Sequence, residues 1–361
     1  AQSIWMFLQL LATAVILYVG YRLATLVITT RYQRRLTAHL PGPPTHPIVG
    51  SLFHLKRNSE EIVQAWTERT NVFANKGYDA YKVWVLHQCF VIPMNGRSIK
   101  AIFDSQEEIV KGQEYDLIVP WLGRGLLTST GDKWRSRRRL ITPTFHFTML
   151  DGYISTMNRH AKICVDNILV DLTNKEFDFY QYIRRMTLDI ICETAMGKDL
   201  DCQHNHSHPY LNAVGNILHI SMYVFMHAIL WTEFMRKITG YDREMKKNVK
   251  IAHDFTKGVR YDTTASGLCW TVWCLACNQD IQQKAYEEVM ETFSDDLDRK
   301  VTKADLHGMP YLERCIKEAM RIFPPVPTVG RKLQNEFQLG SHLLPKGAVV
   351  VINPTVIHRN E

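Results

Sequence analysis

Glu318-Ala319-Met320-Arg321-Ile322-Phe323-Pro324-Pro325-Val326-Pro327, with Arg331 shortly after, is the stretch that decides how this chain is read. Glu318 and Arg321 stand three apart in a run, Tyr311 to Ile322, with the composition of a helix. They therefore share one face and can hold a charge-assisted, two-point ion pair. The prolines end that helix. Pro324 disfavours helical backbone at Phe323, and Pro325 does the same at Pro324, so the chain leaves as an extended segment. A charged pair at this spacing also occurs on ordinary exposed helices, where it is worth a few tenths of a kcal/mol. The reading therefore depends on other motifs appearing in order.

Trp134-Arg135-Ser136-Arg137-Arg138 supplies one. Trp134 and Arg138 are four apart, hence on one helical face with Arg139 beside it, an arrangement suited to the anionic edge of a cofactor. A solvated basic face is the competing reading. So is a nucleic-acid patch made of Arg135, Arg137, Arg138 and Arg139, but no nucleic-acid-binding fold accompanies the cluster, and nucleic acid is not expected as a partner. Asp262-Thr263-Thr264 opens the apolar helical run Ala265 to Ala276. A positioned carboxylate and hydroxyl can pass protons. The same two residue types also cap helix N-termini, so capping stays open as an alternative.

Taken in order, a helix with Glu-x-x-Arg, aromatic-Pro-Pro-x-Pro and a lone arginine resembles the cytochromes P-450, the haem-thiolate monooxygenases. The text from Pro120-Trp121-Leu122-Gly123-Arg124 through Gly131-Asp132-Lys133-Trp134 to Thr142-Pro143-Thr144-Phe145-His146-Phe147 is similar to family four, as is Cys192-Glu193-Thr194-Ala195-Met196-Gly197. The resemblance implies a mainly α fold with a small β-sheet region. It implies haem as cofactor, electrons from an NADPH-dependent flavoprotein reductase, and hydroxylation of a lipophilic substrate such as a fatty acid. By the same resemblance Trp134, Arg138 and Arg331 clamp the haem propionates, Asp262 and Thr263 handle protons, and the Glu318–Arg321 pair braces the proximal side. Residues in Asp116 to Leu127 and Val326 to Val329 border the substrate.

The chain also departs from the pattern. Where the family places a glycine two residues before the acid, this sequence has Arg260, and where family four often has a glutamate it has Val259. Lys246 to Gly258 reads as a surface helix whose relatives lie well upstream of the distal motif. The expectation is an internal segment missing near Gly258 to Tyr261. The family's Phe-x-x-Gly-x-Arg-x-Cys-x-Gly loop, which holds the iron, is absent, and no cysteine follows Cys315. Truncation before that loop is expected, so no residue is assigned as a metal ligand and haem binding by this chain is an open expectation. Set against a working monooxygenase is a catalytically inactive, membrane-bound remnant. A haem sensor with a histidine ligand, such as His146, is a third reading.

Ile4 to Tyr21 is eighteen residues without a charge, and Leu23 to Ile28 prolongs it past Arg22, enough to cross a bilayer. A cleaved signal peptide competes, but Ala12-Thr13-Ala14 lies inside the apolar run instead of after it. Arg31, Arg34 and Arg35 follow directly, which predicts a cytosolic body. The expected organisation is an anchor over 1–30, a basic, proline-rich hinge over 31–45 containing Pro41-Gly42-Pro43-Pro44, and a partial catalytic domain over 46–361. A single-pass endoplasmic-reticulum membrane location goes with it. The 361 residues are 46% apolar and 22% charged, ordinary for a folded domain, and the net charge of +7 suits an anionic membrane surface or an acidic redox partner.

Eight cysteines show no paired framework, which fits a reducing compartment. Cys202-x-His204-x-His206-x-His208 is either an exposed polar loop or a weak metal site. The pattern predicts helices over Ser59–Thr70, Phe177–Met196 and Gln279–Phe293, two helices within Leu140–Ile168 broken near Asp151-Gly152, paired strands at Ala80–Leu86 and Cys89–Pro93, and a short strand at Val349–Ile352.

Overall fold

A computed structural model describes residues 2–55, 59–105, 107, 110–142, 152–171, 176–197, 199–205, 208–255, 262–294, 296 and 299–359. Helices dominate, with two small sheets, as the motifs led one to expect. In chain order the elements are α1 (Gln2–Leu36), α2 (Ser59–Ala74), β1 (Ala80–Val85), β2 (Gln88–Pro93), α3 (Gly96–Asp104), α4 (Val119–Leu122), α5 (Gly131–Ile141), α6 (Ile154–Asp171), α7 (Phe179–Met196), α8 (Pro209–Met226) and α9 (Glu233–Ile238). There follow α10 (Tyr241–Phe255), α11 (Asp262–Cys277), α12 (Gln279–Thr292), α13 (Lys303–His307), α14 (Pro310–Ile322), β3 (Val329–Lys332), β4 (Phe337–Leu339), β5 (His342–Leu344), β6 (Val349–Ile352) and α15 (Pro354–Ile357).

The described chain forms two compact units. The first comprises Ala1–Gln113 and Gly330–Ile352. Its four-stranded sheet has the order β1-β2-β6-β3, with β1 and β2 antiparallel (Trp84 opposite Cys89) and β2 and β6 parallel (Phe90 opposite Val349). Both β1 and β2 are buried on both faces, which is why their β-branched and aromatic residues run on without strict alternation. A separate hairpin pairs β4 with β5. The apolar run at the amino end forms α1, which continues helically through the basic residues to Leu36; irregular backbone begins at Thr37.

The second unit, Glu114–Val329 with Asn353–Glu361, is helical. One core gathers Leu188 and Cys192 of α7, Tyr210, Leu211, Val214 and Ile217 of α8, Ala252 of α10, and Trp121. A second joins Cys164 of α6, Ile183 and Met186 of α7, and Ala265 of α11. The helix ends follow local chemistry. Asp178 caps α7 by accepting from the Tyr180 N–H, and Gly197, at φ 64°, closes it in the left-handed conformation that glycine takes without cost. Pro209 and Pro310 sit in the first turns of α8 and α14, where a missing N–H is harmless.

Candidate functional site

Helix α14 presents the pair that opened the sequence reading. Arg321 donates through Nε to Glu318 Oε2 at 2.8 Å and through Nη2 to Glu318 Oε1 at 2.7 Å, a two-point fork. The Arg321 guanidinium beside it holds the Glu318 carboxyl below the usual carboxylate range, and Glu318 in turn raises Arg321. The remaining Nη1 donates to the His358 carbonyl at the end of α15. An ordinary surface pair stops at the fork; this one also ties two elements together.

Arg359 completes the tie. Its Nε and Nη2 both donate to the Ile322 carbonyl, at 3.1 and 2.9 Å, capping the end of α14 where the prolines leave carbonyls without helical partners. Its guanidinium lies 4.7 Å over the Phe323 ring. The other face of the contact is aromatic: Phe323 stacks on Trp270 of α11 with centroids 4.3 Å apart and planes 7° from parallel, and Trp273 meets it edge-on at 5.3 Å. Gly267, one turn earlier on α11, stands where an added Cβ would touch Pro325. The first proline-rich turn is thereby packed against α11. Neither Arg359 nor the two tryptophans was singled out from sequence. The signal was a Trp-x-x-Trp spacing on α11, which helical periodicity alone assigns to packing.

Helix α11 begins with Asp262 and Thr263, and Thr263 is exposed. The unusual Val259 and Arg260, and the whole junction Gly258 to Tyr261, lie outside the described residues, as does His146. Ala265, two residues after Thr263, is fully buried against α6 and α7, so the helix is seated from its first turn.

Helix α5 carries the third motif. Gly131 enters it at φ 59°, a left-handed turn that a side chain would strain. Asp132 pairs with Arg135 at 2.8 Å, which leaves Arg135 turned toward the helix start. Among the described residues no carboxylate pairs with Arg137, Arg138 or Arg139, and the Trp134 indole N–H has no acceptor. Arg138 borders a hollow of ≈ 250 Å³ lined also by Leu126, Ile141 and Thr142. A lone cation beside Leu126 and Ile141 fits the acid-bearing edge of a flat apolar group. In donor set and lining, α5 fits one propionate edge of a haem. Arg331 belongs to the other unit, where its guanidinium stands 5.7 Å from the Phe103 ring and its strand bridges to Lys111. Burial, and then the Arg331 charge, bring the Lys111 amine down to about 8.

Burial pushes the Cys89 thiol up to about 12 and Cys269 up to about 11, and raises Cys164, Cys274 and Cys315 as well. Cys202 is buried, its backbone N–H donating to Asp189 Oδ1 at 2.9 Å. Its neighbours in the Cys-x-His-x-His-x-His run serve local structure: His204 pairs with Asp201, and His208 Nδ1 accepts from the Tyr210 N–H at the start of α8. His206 lies outside the described residues. A buried polar chain that sequence did not disclose lies behind this loop. His160, 2% exposed, meets Glu193 Oε2 at 2.7 Å through Nε2 and Gln203 Nε2 at 3.1 Å through Nδ1, while Arg159 pairs with the same Glu193 carboxylate.

The described body is helical, with a Glu-x-x-Arg fork on α14 and a proline-rich exit packed on α11. The family model described as Cytochrome P450 matches residues 40–260 and 261–361, and the chain belongs to that family. Cytochrome P450 4V2 of Pongo abelii is 30% identical, over 91% of this chain and 74% of its own length; the Homo sapiens protein of that name gives the same figures. Cytochrome P450 4c3 of Drosophila melanogaster is 26% identical, over 94% and 76%. The alignment to the Pongo abelii protein runs over 393 positions, more than the 361 of this chain, so the relative carries residues within the matched stretch that have no counterpart here. The two stretches matched by the family model meet between Arg260 and Tyr261, inside the junction that the sequence singles out.

Proposed function

We propose that this protein is a haem-dependent monooxygenase of the cytochrome P450 type, anchored by α1 in the endoplasmic-reticulum membrane with its body in the cytosol. It acts on a lipophilic substrate such as a fatty acid and takes electrons from an NADPH-dependent flavoprotein reductase. Residues 1–30 are the anchor, 31–45 a basic, proline-rich hinge and 46–361 a partial catalytic domain. The observation that carries the reading is Arg138, without a carboxylate partner among the described residues and one helical turn from Trp134, on a helix of a chain that matches the family on both sides of its junction.

When bound, haem supplies the one-electron and dioxygen chemistry by which an oxygen atom is inserted into a C–H bond. Trp134 and Arg138 would hold a propionate of that group by charge-assisted hydrogen bonds, and Arg331 is given the same task by resemblance alone. Asp262 and Thr263, at the head of α11, hold and pass protons. The Glu318–Arg321 fork and Arg359 keep the end of α14 fixed against α11 and α15. The lipophilic substrate is supported by the resemblance to family four and by α1, which as a membrane span would hold the body beside a reservoir of apolar molecules.

Haem titration of the purified, membrane-reconstituted chain, followed by Soret absorbance, tests the site. Replacing Arg138 with alanine removes a charge-assisted bond of about 1.5–3 kcal/mol and is expected to weaken haem binding by roughly ten- to a hundredfold. Equal affinity in the variant sinks the assignment of Arg138. Mass spectrometry of fatty acids incubated with the chain, reductase and NADPH tests the substrate. Haem uptake without a hydroxylated product removes that part of the reading and leaves the haem site standing.

A further inference from the structure

Helix α11 ends on two thiols. Cys274 and Cys277 stand three apart in its final turn, Cys274 half-buried and Cys277 exposed. Cys89, Cys164, Cys192 and Cys202 are buried, and among the described residues Cys277 is the one exposed cysteine. On an α-helix of radius about 2.3 Å and rise about 1.5 Å per residue, Cα atoms three residues apart are about 5 Å from each other, within the range of about 4.4–6.8 Å that a disulfide spans. Their Cβ atoms are about 5–6 Å apart against the roughly 3.5–4.5 Å of a disulfide, so closure asks the turn to tighten by about an ångström.

The turn is already drawn in that direction. The Asn278 N–H donates to the Leu275 carbonyl at 3.1 Å, a bond that spans three residues instead of four, while Asn278 Nδ2 donates to the Cys274 carbonyl at 2.8 Å. Gln279 Nε2 donates to the Ala276 carbonyl at 2.7 Å. Side chains three apart eclipse in so tight a turn. Two of the last carbonyls of α11 are thus held by side chains, so the final turn can shift without breaking the backbone ladder above it. The two sulfurs also differ in surroundings. Burial, and then the Cys277 charge, raise the Cys274 thiol, so Cys274 stays protonated at neutral pH while Cys277 faces solvent. That is the layout of an oxidant-sensitive thiol beside a resolving one. Two sulfurs fall short of the four ligands of a structural zinc site, and among the described residues no group of three or more histidine, cysteine or carboxylate side chains is placed to hold a metal ion.

We propose that Cys274 and Cys277 form a reversible dithiol–disulfide site oxidised by hydrogen peroxide. The Cys277 thiolate attacks one peroxide oxygen and the O–O bond breaks. Cys277 becomes a sulfenic acid, and the departing hydroxide takes up a proton to leave as water. The Cys274 sulfur then attacks the Cys277 sulfur, the S–S bond forms, and the sulfenic hydroxyl leaves with the Cys274 proton as a second water. Two thiols thereby lose two electrons to one peroxide. Closure pulls on the turn whose tryptophans hold the exit of α14: Trp273 directly precedes Cys274, Trp270 lies one turn back, and their rings meet Phe323 at 5.3 and 4.3 Å. A disulfide that must draw its turn inward is strained, and strained disulfides are the readily reduced ones, as reversibility in reducing surroundings requires.

The test treats the full, detergent-solubilised chain with a slight excess of hydrogen peroxide, blocks the remaining thiols with N-ethylmaleimide, and weighs the peptide that contains both cysteines. The expected peptide is unalkylated and lighter than the dithiol form by two hydrogens, and dithiothreitol restores uptake of two maleimides. Dimedone, which traps sulfenic acids, is expected to label Cys277 in Cys274→Ser several-fold more than Cys274 in Cys277→Ser, with both variants folded by far-UV circular dichroism. Tryptophan emission is expected to change on oxidation of the native chain and to stay constant in Cys274→Ser. Full alkylation of both cysteines after peroxide, sulfinic acid at Cys277 without an internal disulfide, or a disulfide-linked dimer through Cys277 overturns the site. Equal dimedone labelling in the two variants overturns the order of attack, and unchanged emission on closure overturns the coupling to the stack.

Discussion

Arg138 and Arg321 are the same residue type on two helices, and their surroundings give them opposite tasks. Arg321 is engaged through all three of its nitrogens by Glu318 and the His358 carbonyl. Arg138 has no acidic partner among the described residues, so its charge is left for a ligand, which is why its removal is predicted to act on haem affinity. Carboxylates held by arginine carry a second prediction. Asp305 accepts two bonds of 2.8 Å from Arg299 and two of 2.7 Å from Thr302, and the Arg299 contact above all keeps its carboxyl well below its ordinary 3.8. His160 first, then Arg159, lowers Glu193 from 4.5. A carboxyl whose folded value is depressed adds stability that is present above its unfolded value and is lost as pH falls through the folded one. Thermal unfolding followed by circular dichroism is therefore expected to separate the native chain from Asp305→Asn at neutral pH. That gap narrows as the pH is lowered below about 4. A gap independent of pH counts against the ion pair as its source.

Among the elements, the contact between α11 and the exit of α14 is the most informative. Trp270, Phe323 and Arg359 stack in sequence, and the Gly267–Pro325 approach keeps the backbones near one another. Phe323→Ala removes the middle layer of a half-buried stack and is expected to cost about 2–3 kcal/mol in denaturant unfolding, with a change in tryptophan emission. An emission spectrum like that of the native chain would show that the stack does not persist in solution. Helix α7 is buried more deeply, and Leu188, 0% exposed in its first core, is expected to cost about 2–5 kcal/mol when cut to alanine. The boundaries of α14, β1, β2 and β6 were readable from proline punctuation and β-branched runs, because those rules act within a few residues. Helix α8 was not anticipated. It is apolar nearly all round because Tyr210, Val214 and Ile217 face one core while Ile220 and Val224 face another, and periodicity does not mark a helix buried on two sides.

At the scale of the whole molecule, α1 is long and apolar enough to cross a membrane. Leu17→Arg puts a charge near the middle of the span at a cost of about 2.5–3.5 kcal/mol, and part of the protein is expected to appear in the carbonate-soluble fraction. Full retention of this variant in the pellet would argue that α1 does not cross the bilayer.

The sequence alone determined what local chemistry determines: the apolar length of α1, the place where prolines stop α14, the shared faces of Glu318 with Arg321 and of Trp134 with Arg138, and through their order the family. Tertiary structure decided which of those side chains are occupied. The Arg321 fork reaches the His358 carbonyl, Arg359 caps α14 from across the fold, His160 is enclosed with Glu193 and Gln203, and the last turns of α1 are fastened by Gln33 and Arg34. Each of these contacts joins residues far apart in the chain. Spacing along a sequence fixes which side chains share a helix face, whereas the partner that meets that face is selected by packing over the whole fold.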